Sequence, residues 1–235
     1  MLKRFLGLAL AIALFASVGH AAVAENGSGT AFNNFAAATT VDLTTFTVDA
    51  GSNQCLIAWL YTDTGVTSVT LNWDQGGTPQ AMTEIISTSG QGELRGYRLI
   101  APTTGNKTLR ASWTTSAAGT LAAVNFSGAD QTTCDNNADD QTLLEGGTTS
   151  SVTITSTTDG ATVAAVGQFN SSVSSTTQTT VWTTTLTGGS YALGGTSNNH
   201  SFTLAGSATK IVAGIHILAV STGVPTSRML TGIGK

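Results

Sequence analysis

Charge is scarce in this chain of 235 residues: Lys and Arg number 9, Asp and Glu 13, together 9% of the total. No basic run is present, so a phosphate backbone finds no electrostatic footprint and nucleic acid is excluded as a partner. Histidines number 3, and the signatures that bring a nucleophile or a zinc together are missing: there is no Gly-x-Ser-x-Gly elbow, no His-Glu-x-x-His, and no Cys–His pairing in sequence. No enzyme class is indicated and no cofactor is called for. A fixed-period repeat is absent, which excludes solenoids and propellers and with them a flat threonine array of the ice-binding kind. Beyond the first eighteen residues no apolar run is long enough to cross a membrane. Aromatics make up only 6% and cysteines number 2, so each of these residues carries weight.

What is abundant is glycine, at 27 positions, and threonine, at 43. Threonine's branched Cβ suits a pleated surface, and a hydrophobic fraction of 40% is enough for a core. The N-terminus reads as a leader: Met1-Leu2-Lys3-Arg4 is a basic opening, Phe5 to Val18 is unbroken and apolar, and Ala22-Val23-Ala24 is a small-x-small cleavage site before Glu25. An uncleaved anchor is the alternative, but the run is shorter than the ~20 residues a span needs. Without Lys3 and Arg4, seven basic residues face thirteen acidic ones, a net charge of −6.

The rest of the chain reads as strands. From Glu93 to Gln131 the pattern predicts three short strands joined by two turns. In the middle one Leu109, Ala111 and Trp113 alternate with Thr108, Arg110 and Ser112, the period of a half-buried strand, and Pro102 and Gly105 supply the turn before it. Gln54 to Thr62 is apolar on both faces, as is Lys210 to Val220, and both read as central strands. Phe46 and Val48 share a face. Val66 to Trp73 alternates into an Asp74-Gln75-Gly76-Gly77 hairpin whose glycines are expected to supply positive φ. Further strands are expected around Ala81 to Thr88, Ser151 to Thr157, Thr162 to Phe169, Thr179 to Leu186 and Ser201 to Leu204. Ala129 to Ser150 reads as the longest irregular stretch. The domain reading is a signal peptide over 1–24, a flexible linker or a loosely docked first strand over 25–40, one β-sandwich over 41–220 and a tail over 221–235. About a dozen short strands with regular turns predict an all-β, antiparallel, jelly-roll-like sandwich.

Three runs carry a resemblance: Gly76-Gly77 followed by Ala81-Met82-Thr83; Tyr97 to Pro102 with Gly105; and Ala123 to Gln131. Together they resemble a widespread, largely uncharacterised β-sandwich module of exported bacterial surface proteins and tailed-phage structural proteins. The likeness covers roughly Val41 to Val220 and implies fold while being nearly silent on function. Asp74-Gln75, which lengthens the hairpin, and Cys134 depart from it.

Cys55 and Cys134 are expected to form a disulfide, as an even count in an exported chain suggests. Cys55 opens a central strand and Cys134 follows the strand ending at Ser127, so the two meet if those strands are antiparallel neighbours; a buried free thiol is the alternative. Asp135, Asp139 and Asp140 offer hard oxygens for calcium, without the ordered spacing of a known loop, and a solvated acidic loop is the blander reading. Glu84 and Glu93 flank a hairpin and could pair for glycoside cleavage if they faced each other across a cleft. His216 lies in an apolar run that suits a core histidine, and His200 is the other histidine left after export. Trp59, Trp73 and Trp113 fall on apolar faces. Trp182 among hydroxyls, and Tyr191 in a Gly-rich loop, are the candidates for stacking on a sugar ring, against Trp182 filling the core beside Leu186. The function expected is an exported, non-enzymatic module at the cell surface or outside the cell, structural, adhesive or glycan-binding. The alternatives are a virion or filament subunit assembling with like subunits, and a hydrolase with unlocated carboxylates.

Overall fold

The computed structural model describes residues 22–90, 92–143, 147–168 and 171–221, with the backbone alone over 137–143. The leader up to residue 21 and the tail from residue 222 lie outside them. In chain order the strands are β1 (Ala24–Glu25), β2 (Gly27–Gly29), β3 (Phe32–Leu43), β4 (Phe46–Val48), β5 (Cys55–Thr62), β6 (Thr70–Trp73), β7 (Gln80–Ala81), β8 (Thr83–Gly90), β9 (Gly92–Ile100), β10 (Gly105–Asn106) and β11 (Leu109–Ser127). The second half adds β12 (Asp135–Leu143), β13 (Thr149–Thr155), β14 (Ala161–Gln168), β15 (Val173–Thr176), β16 (Thr179–Thr183), β17 (Thr187–Leu193), β18 (Ser197–Leu204) and β19 (Lys210–Ile217). Pairing is antiparallel, and the sandwich class expected from the sequence is the one present.

The strands stack in four layers because two central sheets are apolar on both faces. In β5, Cys55, Ile57, Trp59 and Tyr61 join the core shared with β14 and β19, while Leu56, Ala58 and Leu60 join a second core with Leu43, Val48, Leu71 and Trp73. In β14, Val163 and Ala165 face β5, while Ala164 and Val166 meet Val152, Ile154 and Phe202 of the outer β13-β18-β15 sheet in a third core. Alternation sends neighbouring residues of a strand to opposite faces, so the central strands β5, β14 and β19 are buried at every position and largely apolar, whereas β13 alternates buried with exposed.

Four departures from the sequence reading have physical causes. The last two strands of the expected meander are one: β11 runs nineteen residues, with register shifts against β3 between Ser112 and Gly119. Its first part pairs with β6 and its second with β5, so the polar Thr114-Thr115-Ser116 is an exposed bend and not a turn. The segment 25–40 takes the strand alternative and is not a free linker: β3 pairs with β11 from Leu109 to Ala122, main-chain bonds requiring no apolar side chains. The irregular stretch after Gly128 contains β12, which pairs along β19 from Leu143↔Lys210 to Asp135↔Ile217. At the hairpin the positive φ falls on Asp74 (56°) and not on the glycines. Gly77 is required there for space, since a Cβ would come within 2.5 Å of the Asp74 carboxylate.

Cys55 and Cys134 are disulfide-bonded, with Cα atoms 6.1 Å apart. The strands do lie antiparallel, Cys55 opposite Phe126, so the bridge ties the first inner sheet to the start of β12. Two further ties join the halves: the Tyr61 hydroxyl donates to the Gln168 carbonyl at 2.9 Å, and Arg98 pairs with Asp135. Both ends of the described chain converge. Ala24 pairs with Ser127, and Val220 N–H donates to the Gly128 carbonyl at 2.8 Å.

Candidate binding cleft

Tyr191 is in the middle of β17 and not in a loop, opposite Val163 on one side and Thr179 on the other. Its ring meets Phe126 edge to face, centroids 5.9 Å apart at 83°, which leaves part of it at the surface. There it lines a cleft of about 220 Å³ with Glu25, Ser28, Phe46, Thr179 and Thr180. The two walls come from opposite halves: β1, β2 and β4 on one side, β16 and β17 on the other.

Glu25 is fixed by its own turn, its Oε1 accepting from Gly27 N–H at 2.9 Å. Burial pushes its carboxyl above the ordinary range, and Asp49 adds to this against the opposing Gly27 bond. Tyr191 is also raised, first by burial and then by the Glu25 charge, with a bond to the Thr179 side chain acting the other way. A partly exposed ring, one carboxylate and the hydroxyl of Thr179, which pairs opposite Tyr191, can stack on and hydrogen-bond a neutral polyol; the Thr180 hydroxyl is engaged with Thr176 at 2.9 Å. They provide no second carboxylate for acid–base hydrolysis.

The other sequence candidates are placed differently. Trp182 is 3% exposed and donates from Nε1 to Thr187 Oγ1 at 3.0 Å. It cannot stack on a ligand, which corrects its assignment to sugar binding and favours the core alternative. The slot exists because Gly189 lies opposite in the pairing, where a Cβ would come within 2.1 Å of the indole. Trp182→Ala is accordingly expected to lower stability by about 3–5 kcal/mol, measured by urea denaturation, and not to act as a silent binding mutant.

Glu84 and Glu93 do converge, but on Arg95: Nη1 lies 2.7 Å from Glu84 and Nη2 2.6 Å from Glu93. Tyr97 also donates to Glu84 at 2.8 Å. A guanidinium fills the space where a glycosidic oxygen would have to enter. Asp135, the first of the calcium candidates, is engaged by Arg98. Asp139 and Asp140 occupy β12 at register positions opposite Gly214 and Ala213, in a strand and not in the expected acidic loop; their side chains lie outside the described residues. Among the described residues no group of three His, Cys, Asp or Glu side chains is placed to hold a metal. His200 is enclosed, Nε2 2.8 Å from Thr162 Oγ1 and Nδ1 2.8 Å from Ser190 Oγ, and burial takes its pKa down to about 4. His216 is buried as well and shifted down for the same reason. Trp59, Trp73 and Trp113 are in the cores, as their patterning suggests.

No family model matches the chain, and no curated protein matches it. Among solved structures, the PBSX exported protein XepA aligns at a TM-score of 0.30 and 9% identity, over 81% of this chain and 86% of that one. The propeptide form of Bacillus licheniformis lipase BlEst2 aligns at 0.27 and 12%, over 89% and 43%. Escherichia coli YhaK aligns at 0.25 and 9%, over 87% and 92%. These likenesses are too distant to carry an argument. Among the described residues no helix is long and apolar enough to cross a membrane.

Glu25 was not visible as a site residue in the sequence. It stands in a polar stretch beside the leader, and its partners lie some 150 positions away; only the pairing of β1 with the end of β11 brings them together.

Proposed function

We propose that the protein is an exported, non-enzymatic β-sandwich module that works outside the cytoplasm as a structural or binding unit, with the Glu25–Tyr191 cleft as a site for one sugar ring. Two features support export: the leader-like N-terminus, and a disulfide, a bond that persists in oxidising compartments. The observation that carries binding is the composition of the cleft, an aromatic ring, a carboxylate and hydroxyls around about 220 Å³. That is smaller than the ~300–1,000 Å³ of drug-sized sites and suited to a single ring. Against hydrolysis stands the Arg95 guanidinium between Glu84 and Glu93.

A second reading, a subunit of a virion or filament, is favoured by one surface. Strands β13, β15 and β18 contain no Asp, Glu, Lys or Arg. Their pairs Thr149↔Thr203, Ser151↔Ser201 and Thr153↔Asn199 make a face without charge repulsion between copies.

Calorimetric titration with a panel of mono- and disaccharides tests the first reading. Glu25→Gln and Tyr191→Ala are expected to weaken binding about tenfold or more, roughly 1.4 kcal/mol, with Glu25→Gln leaving the melting temperature near that of the wild type. Wild-type protein that binds no sugar and scatters light as a large assembly would replace this reading with the second.

A further inference from the structure

The residues just before the expected cleavage point are part of the fold. Val23 is 3% exposed, in the core between the two inner sheets, and its N–H donates to the Asp159 carbonyl at 2.8 Å. Asp159 belongs to the second half, just before β14, so Val23 bonds across the two halves. Ala24 and Glu25 then pair with Ser127 and Phe126, and Glu25 enters the cleft. Cleavage before Glu25 would take away the Val23 side chain, the bond to Asp159 and half of β1. It would also place a new α-ammonium group on the residue whose carboxylate lines the cleft.

A second small-x-small triplet lies three residues upstream, Gly19-His20-Ala21. The strongly apolar run Phe5–Phe15 has the length of a leader's central region, and Ala16–Ala21 has the small residues of its end.

We infer that the leader is removed between Ala21 and Ala22, so that the mature chain begins at Ala22 and its first residues clip the two halves together. The reaction is hydrolysis by a leader peptidase: the Ala21–Ala22 amide breaks, water gives its hydroxyl to the Ala21 carbonyl carbon and a proton to the Ala22 nitrogen, and no other reactant is needed. This inference rests on the export reading and sharpens it. It assigns the strip Ala22–Ala24 to the folded protein and makes Glu25 the second residue of β1, not the chain's first residue.

The test expresses the full precursor with its own leader in a bacterial host and reads the N-terminus of the exported protein by sequencing and intact mass. A start at Ala22 supports the inference. A start at Glu25 overturns it while leaving export standing, and an intact Met1 terminus overturns both. Two variants separate the sites, since a large polar residue blocks cleavage directly after it. Ala24→Gln, at an exposed position, is expected to be processed at Ala22 as the wild type is, and Ala21→Gln to lose the Ala22 start, either accumulating as precursor or starting at Glu25 through the Ala22-Val23-Ala24 triplet. The reverse pattern overturns the inference.

Discussion

Replacing Cys55 and Cys134 together by Ala is expected to remove about 4 kcal/mol of stability, the loss that chain entropy assigns to opening a loop of this size. The two cysteines are 79 positions apart, and the bridge closes the stretch from β5 through β11 onto the start of β12. For a chain of this length the change corresponds to a melting temperature about 8–16 °C lower. Both sulfurs are in the shared core, so the alanines leave a small space there, and native reduced protein is the cleaner comparison. Urea denaturation of oxidised, reduced and double-alanine protein measures the difference. Equal midpoints for oxidised and reduced protein would show that the unfolded chain is already held compact across that loop without the bridge.

The second large effect is acid destabilisation through His200. The ring is fully enclosed and its two nitrogens hydrogen-bond the Thr162 and Ser190 hydroxyls; burial lowers its pKa from 6.5 to about 4. Above pH 6.5 the ring is neutral whether the chain is folded or not, and it contributes no pH dependence. Between about pH 6.5 and 4 the unfolded chain takes up a proton that the folded chain refuses, so stability falls as the pH falls. Below about pH 4 both forms are protonated and the loss levels off at roughly 3 kcal/mol. His216, shifted in the same direction by burial, adds to the decline. Urea midpoints from pH 7.5 to 3.5 are expected to show this fall in the wild type, and His200→Gln is expected to flatten it. Parallel profiles for the two proteins would assign the titration to other groups.

How much of this was legible depended on where each residue's neighbours lie in the chain. Strands β5 and β19 were legible because a strand enclosed on both faces is apolar at most positions on both, and the disulfide because two strand ends could be placed side by side. β3 and β12 were not, because their pairing is made by the main chain while their sequences, such as Phe32–Leu43 with its run of Asn, Ala and Thr, show no alternation. Trp182 was misleading for a related reason: the hydroxyls beside it in sequence suggest water, and the glycine that opens its slot, Gly189, is on the next strand. The same holds for the cleft, whose carboxylate and ring are separated by most of the molecule's length.

The convergence of Ala24 on Ser127 and of Val220 on Gly128 has a mechanical meaning. A pull applied between these two ends enters and leaves the body at one corner, and its path runs outside both outer cores. Such a body can be spliced into a longer chain as an insert, or held by one end, with most of its bulk hanging free of the tether and carrying no tension.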